Sequence, residues 1–307
     1  MKKIGESIRL IRKQKKLTQS VVYTGIISRN FASRFENGVS GIETSKFFQI
    51  LKRLNVSPNE FEYIHYKNNE YKFKKMLHDI DNASSTNNFS ELKSIYKQYH
   101  LENSLDSQIL ASLAYVKLYV HGNNPLNMQL EPTYPLKIHL LESSEWSLVE
   151  FRAFVDGIFI FRLENFNLNL CMKRAVKAHL KYKNLVDSKV EIDQNMGSII
   201  LNYLQIQLTN RKYNFINNYL KLSHTFSNEL TDFTAILTLQ FSDLLFNLYF
   251  DDDFNHARTE CYEFLRTLQK LKFSDFKIFQ DIYNYHLSLS EDYHRKKYKK
   301  DFGKKLV

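Results

Sequence analysis

The sequence predicts an all-α chain: a bundle of five short helices first, then a longer series of paired helices. Three observations predict it. Turn formers are scarce, with 8 Gly and 4 Pro in 307 residues, and no proline follows Pro135; sandwiches and barrels need frequent breaks of that kind. Apolar residues recur three and four apart through most of the chain, the spacing of one helix face. Aromatic residues are abundant, with 24 Phe, 19 Tyr and one Trp, enough apolar surface for a large core. Hydrophobic residues at 43% and charged residues at 25% are ordinary for a folded chain and exclude a disordered one.

The first helix is set by Ile4, Ile8 and Ile11, at i, i+4 and i+7. Thr18 caps a second, Gln19 to Tyr23, which Gly25 ends. Ser28 caps a third, from Arg29 to about Asn37, with Gly38 as its stop. Thr44 opens a fourth, whose apolar face is Phe47, Ile50, Leu51 and Leu54. Ser57-Pro58-Asn59-Glu60 is a capping box with proline at the first helical position and starts the fifth. These helices define a domain over 1–66.

The stretch from Leu17-Thr18-Gln19 to Phe35-Glu36-Asn37-Gly38 resembles the helix-turn-helix of phage repressors, the XRE or Cro/CI class. In that class the third helix enters the major groove and its first residues touch base edges. The matching residues here are Arg29, Asn30, Ser33 and Arg34. Arginine can pair bidentately with guanine and asparagine with adenine. Gln19 and Ser28 match positions that grip phosphate, and Arg12 with Glu36 matches a pair joining helices one and three. Ala32 and Phe35 are expected to pack inward. Gln19 to Glu36 spans 17 positions, one fewer than is usual in the class. That short turn, Gly25-Ile26-Ile27-Ser28-Arg29, and the segment Leu54-Asn55-Val56-Ser57-Pro58-Asn59-Glu60-Phe61 resemble the Rgg/GadR/MutR regulators of Gram-positive bacteria.

Residues 67–307 form the second domain. Asn82 to Asn88 is a polar loop, and helices are expected near 70–80, 89–100, 103–120, 133–142, 146–161, 165–182, 189–208, 211–224, 229–249, 254–271 and 273–293. Asn88-Phe89, Lys212-Tyr213 and Asp253-Phe254 each precede a smaller apolar residue three positions after the aromatic. They are separated by 124 and 41 residues, close to multiples of 41. Such a period suggests a tetratricopeptide-like, right-handed helical repeat array. Trp146-Ser147-Leu148-Val149-Glu150-Phe151-Arg152-Ala153-Phe154 also resembles the Rgg/GadR/MutR regulators. That resemblance implies a dimer whose repeat domain binds a short, often hydrophobic signalling peptide, as in quorum sensing.

A bound extended peptide needs its amides satisfied and its carboxylate met by a cation. Arg152 lies between Phe151 and Phe154 and could supply the cation; it could equally be a surface arginine or pair with Glu150 or Asp156. Asn202 and Asp243 each fall 11 residues before a repeat start, Tyr213 and Phe254, and interrupt apolar helices. They could face a peptide or simply bond one helix to another. Phe159, Phe161, Phe241 and Phe246 read as core.

Net charge is +10, and the excess sits at the ends. Residues 1–66 carry twelve Lys/Arg against five Asp/Glu, and residues 294–307 carry seven against one. The first excess fits a polyanion contact; the tail's could be the same or merely solvated. Cys171 and Cys261 are too few for a disulfide framework or zinc site and read as buried thiols, consistent with a reducing compartment. No signal peptide is expected, and the apolar run Phe154 to Phe161 is far shorter than the roughly 20 residues of a spanning helix. A glycine-rich phosphate loop, paired metal-ligand histidines and a nucleophile elbow are not found in the sequence, so no enzyme, cofactor or metal is expected.

The expectation is therefore a cytoplasmic, dimeric transcription regulator that binds promoter DNA at an inverted repeat and senses a short hydrophobic peptide. Two alternatives remain: a regulator whose array serves only dimerisation and partner binding, and an interaction scaffold that does not read DNA.

Overall fold

The computed structural model describes residues 3–66, 72–120, 127–211 and 213–304. The domain boundary after residue 66, Lys212 of the repeat pattern and the end of the basic tail lie outside the described residues. No strand occurs among the described residues. The chain divides into two compact units, Met1–Asp81 and Asn82–Val307.

In the first unit, α1 (Ile4–Gln14), α2 (Gln19–Tyr23), α3 (Arg29–Glu36), α4 (Thr44–Leu54) and α5 (Pro58–Tyr66) follow the spacing above. Thr18 Oγ1 accepts from Val21 N at 3.3 Å, and Ser28 Oγ from Phe31 N at 3.3 Å, capping α2 and α3. Gly38 ends α3 at φ +70°, a backbone that glycine adopts without steric cost. Ile8, Ile11, Val22, Ala32, Phe35, Ile50, Leu51 and Leu54 form one core. Each large side chain there contributes about 1.5–3 kcal/mol by burial. Ile4 departs from its expected face and is 45% exposed, because α1 approaches α3 through Gly5 instead. A Cβ on Gly5 would stand 1.7 Å from the Phe35 carbonyl oxygen.

In the second unit five helix pairs follow one another: α7 (Phe89–Tyr99) with α8 (Leu105–Val120), α9 (Tyr134–Glu142) with α10 (Leu148–Gly157), α11 (Asn165–Tyr182) with α12 (Lys189–Thr209), α13 (Ile216–Ser227) with α14 (Phe233–Phe250), and α15 (Phe254–Lys270) with α16 (Phe276–Lys304). The division between the units falls within α6 (Lys72–Ser85), the helix before α7. The expected helix at 146–161 is two pieces, since the backbone tightens into a 3-10 turn at Ile158–Phe161. A 3-10 turn at Tyr213–Phe215 likewise precedes α13. The repeat length holds only on average: the first helices of successive pairs open at Phe89, Tyr134, Asn165, Ile216 and Phe254.

Each even-numbered helix from α8 to α14 packs on the next even-numbered one, and each odd-numbered helix from α9 to α15 packs against the even-numbered helices on either side of it in sequence. Contacts between successive even-numbered helices tie the pairs into one continuous stack. Phe159, Phe161, Phe241 and Phe246 are buried, as are Cys171 and Cys261. By length and composition α14 could cross a membrane, with a mean hydropathy of 1.2, yet it lies among α12, α13, α15 and α16. At 18 residues it is longer than the apolar run Phe154 to Phe161, against which a spanning helix was excluded above.

Candidate nucleic-acid interface and candidate peptide groove

Helix α3 divides its residues cleanly. Ala32, Phe35 and Glu36 are buried, while Arg29, Asn30, Ser33 and Arg34 are exposed. The pairs 29/33 and 30/34 are four apart, so the four polar side chains share one face. None of them has a hydrogen bond or ion pair to another described side chain. They are therefore available to an external partner, with two guanidinium groups among them. Ser28 is exposed beside them, its oxygen used in the cap.

Beneath that face lies a buried carboxylate. Glu36 Oε1 and Oε2 accept from Arg12 Nε at 2.6 Å and Arg12 Nη2 at 2.7 Å, a bidentate pair between α1 and α3. Tyr23 OH adds a hydrogen bond at 2.7 Å and Gln19 Nε2 another at 2.8 Å. Burial opposes the charged carboxylate, but the hydrogen bonds from Arg12, Tyr23 and Gln19 outweigh it and hold Glu36 below the ordinary carboxylate range. Gln19, read as a phosphate contact, thus has one amide hydrogen engaged within the fold and its oxygen and second hydrogen left over. Tyr23 was missed as a partner, although it falls four residues after Gln19 on the same helix face. Two further bases of the first unit also serve the fold: Arg53 Nη1 donates to Thr24 O at 2.5 Å, and Lys15 Nζ to Leu54 O at 2.8 Å. They satisfy carbonyls that end α2 and α4.

In the second unit α12 is buried on most sides but leaves a half-exposed polar stripe. Glu191, Asn195, Ser198, Asn202, Gln205 and Thr209 compose it, spaced three or four apart. Arg152 of α10 reaches across to Glu191 at 2.6 Å, not to Glu150 or Asp156. Asp156 instead pairs with Lys117 of α8 at 2.6 Å, and Glu150 receives Ser147 and His139. Asn202 Nδ2 donates to Val155 O at 2.9 Å, and its oxygen accepts from Gln205 Nε2 at 3.1 Å. Arg152 and Asn202 therefore belong to one α10–α12 seam. Asp243 faces elsewhere: it accepts from Tyr219 OH at 2.8 Å and Ser223 Oγ at 2.7 Å, both on α13. The shared register of Asn202 and Asp243 does not bring a shared partner. The rest of the polar stripe was not read from the sequence, because it runs through a helix with almost no hydrophobic asymmetry.

Against known proteins, residues 8–61 match the helix-turn-helix family. The first unit is a helix-turn-helix module. Solved structures resemble the chain over nearly its whole length. A provisional transcriptional regulator from Listeria monocytogenes EGD-e is 22% identical with a TM-score of 0.72, over 93% of this chain and 97% of the other. The pheromone receptor Rgg2 of Streptococcus dysgalactiae is 17% identical with a TM-score of 0.71, over 92% and 99%. PrgX in its complex with cCF10 is 15% identical with a TM-score of 0.62, over 95% and 94%. A helix-turn-helix followed by a helical repeat domain is the fold they have in common with this chain.

Proposed function

We propose that this chain is a transcription regulator that binds promoter DNA through α3 and changes its activity when the repeat unit takes up a short hydrophobic peptide. The observation that carries the DNA half is the set Arg29, Asn30, Ser33 and Arg34, exposed and without a partner among the described residues on the first turns of α3, where helix-turn-helix proteins present base-reading side chains. Gln19 and Ser28 flank that face and are read as phosphate contacts. The peptide half is supported by the α10–α12 seam. It offers a guanidinium and a half-exposed row of amides and hydroxyls along α12, the groups an extended backbone requires. Arg152 and Asn202 belong to it; Asp243 joins it only by exchanging its α13 partners. The names of Rgg2, a pheromone receptor, and of PrgX, in complex with cCF10, add weight.

On this reading the protein acts in the cytoplasm as a homodimer on an imperfect inverted repeat, with residues 1–66 as the DNA module and 67–307 for dimerisation and sensing. Footprinting on the promoters near its own gene tests the first half: a protected site with two-fold symmetry is expected, and uniform weak protection would make the chain a scaffold. Thermal unfolding with fractions of the host's spent medium tests the second. A ligand at 100 times its Kd adds about 2.7 kcal/mol to the folded state; no shift in any fraction favours a regulator without a peptide ligand.

A further inference from the structure

The arginine read as the peptide's anchor is already occupied. Arg152 and Glu191 meet at 2.6 Å, with 44% and 46% of their side chains exposed. The pair spans the seam between α10 and α12, where Asn202 also bonds the α10 backbone. Both charges are within reach of solvent, so the pair can open without unfolding either helix. A ligand carboxylate that takes the guanidinium must displace the Glu191 carboxylate. A displaced Glu191 then stands uncompensated beside a second anion, since Lys117 is already paired with Asp156, one turn on from Arg152 along α10.

Resting on the peptide-sensing reading above, we infer that Glu191 is a specificity-determining residue of the groove, an internal competitor for Arg152 that selects dipolar ligands. A peptide with a bare carboxylate gains one ion pair and breaks another. A peptide that carries a lysine or arginine next to its carboxylate supplies both halves, pairing its carboxylate with Arg152 and its cation with Glu191. The groove therefore favours hydrophobic peptides with a base near the anionic end over wholly apolar ones of the same length. An exposed ion pair is worth little in water, so the selection is a matter of a few-fold, set by Glu191.

The test is affinity selection on the full-length protein, with bound peptides identified by mass spectrometry. The probe is a synthetic mixture of hydrophobic octapeptides, half with free C-terminal carboxylates and half amidated, with and without a penultimate lysine. Wild type is expected to enrich the free acids bearing lysine. In Glu191→Gln the lysine preference should vanish, and lysine-free acids should bind about two- to fivefold more tightly, while amidated peptides are unchanged. Equal enrichment of all classes by both proteins overturns the role of Glu191 and leaves peptide sensing standing. Failure of any peptide to bind either protein, both folded, overturns the peptide-sensing reading itself.

Discussion

Glu36 and Arg12 are joined twice, Oε1 to Nε at 2.6 Å and Oε2 to Nη2 at 2.7 Å, across the buried interface of α1 and α3. This pair fixes the helix that carries Arg29, Asn30, Ser33 and Arg34. Removing one partner strands the other: Arg12→Met leaves a buried carboxylate and should cost about 3–5 kcal/mol. The double variant Arg12→Met with Glu36→Leu should recover much of that loss, since no charge is then left without a counter-ion. Hydrogen exchange at the Ile11 and Phe35 amides reports this unit separately from the rest of the chain. Equal protection in wild type and Arg12→Met contradicts the assignment.

Gly5→Ala sets two effects against each other. Alanine gains about 1 kcal/mol in helix propensity over glycine, but its methyl would lie 1.7 Å from the Phe35 carbonyl oxygen. A backbone atom cannot swing aside, so α1 must move off α3 and the variant is destabilised by about 1–3 kcal/mol. The same exchange-protected amides should open faster; a stabilised variant would show that α1 and α3 are not held this close.

On DNA, Arg29→Ala and Arg34→Ala separate base reading from backbone contact. A base-reading arginine costs about 1–3 kcal/mol on the specific site and little on random DNA. A phosphate contact weakens both equally and lowers the slope of log affinity against log salt by about one. Titrations at three salt concentrations on both DNAs assign each residue.

Acid should weaken the repeat unit before it weakens the carboxylate network. His286 is wholly buried against Tyr249 OH at 2.8 Å, and burial pushes its pKa from 6.5 down to about 3. The folded state holds it neutral, whereas the unfolded chain takes up a proton below about 6.5. Its contribution is therefore complete above pH 6.5 and falls away towards pH 3, by about 1.4 kcal/mol per pH unit. Urea unfolding followed at Trp146, which lies in the same unit, should show this slope in wild type and a shallower one in His286→Gln.

The two thiols should be inert. Cys171 and Cys261 are buried, and desolvation pushes both up to about 12, so almost no thiolate exists at neutral pH. A colorimetric disulfide reagent should label neither until denaturant is added; prompt labelling of one thiol would mean its helix opens readily.

Legibility followed locality. The caps at Thr18, Ser28 and Ser57 and the α3 face were readable because each depends on residues within one turn. Tyr23 with Glu36, Arg53 with Thr24 and Arg152 with Glu191 were not, since each joins elements whose mutual placement no short window contains. Gly5 carried a signal that went unused: a glycine inside an amphipathic helix often marks a close backbone approach. Apart from Asn202, the polar stripe on α12 stayed hidden for a different reason. Its polar residues are diluted by apolar ones on every other side, because a helix in the middle of a stack has neighbours nearly all around.

The chain order has a consequence for synthesis. Helix α14 is apolar enough for a bilayer, and its neighbours α15 and α16 are translated after it. Until they leave the ribosome, the flank bearing Phe241 has nothing to cover it. Asp243 at mid-helix opposes insertion in that interval on energetic grounds: a carboxylate there costs about 2.5–3.5 kcal/mol in lipid, while Tyr219 and Ser223 of α13, already made, can donate to it. A nascent chain stopped at residue 251 should therefore engage chaperones rather than membranes, and replacing Asp243 with leucine should reverse that choice.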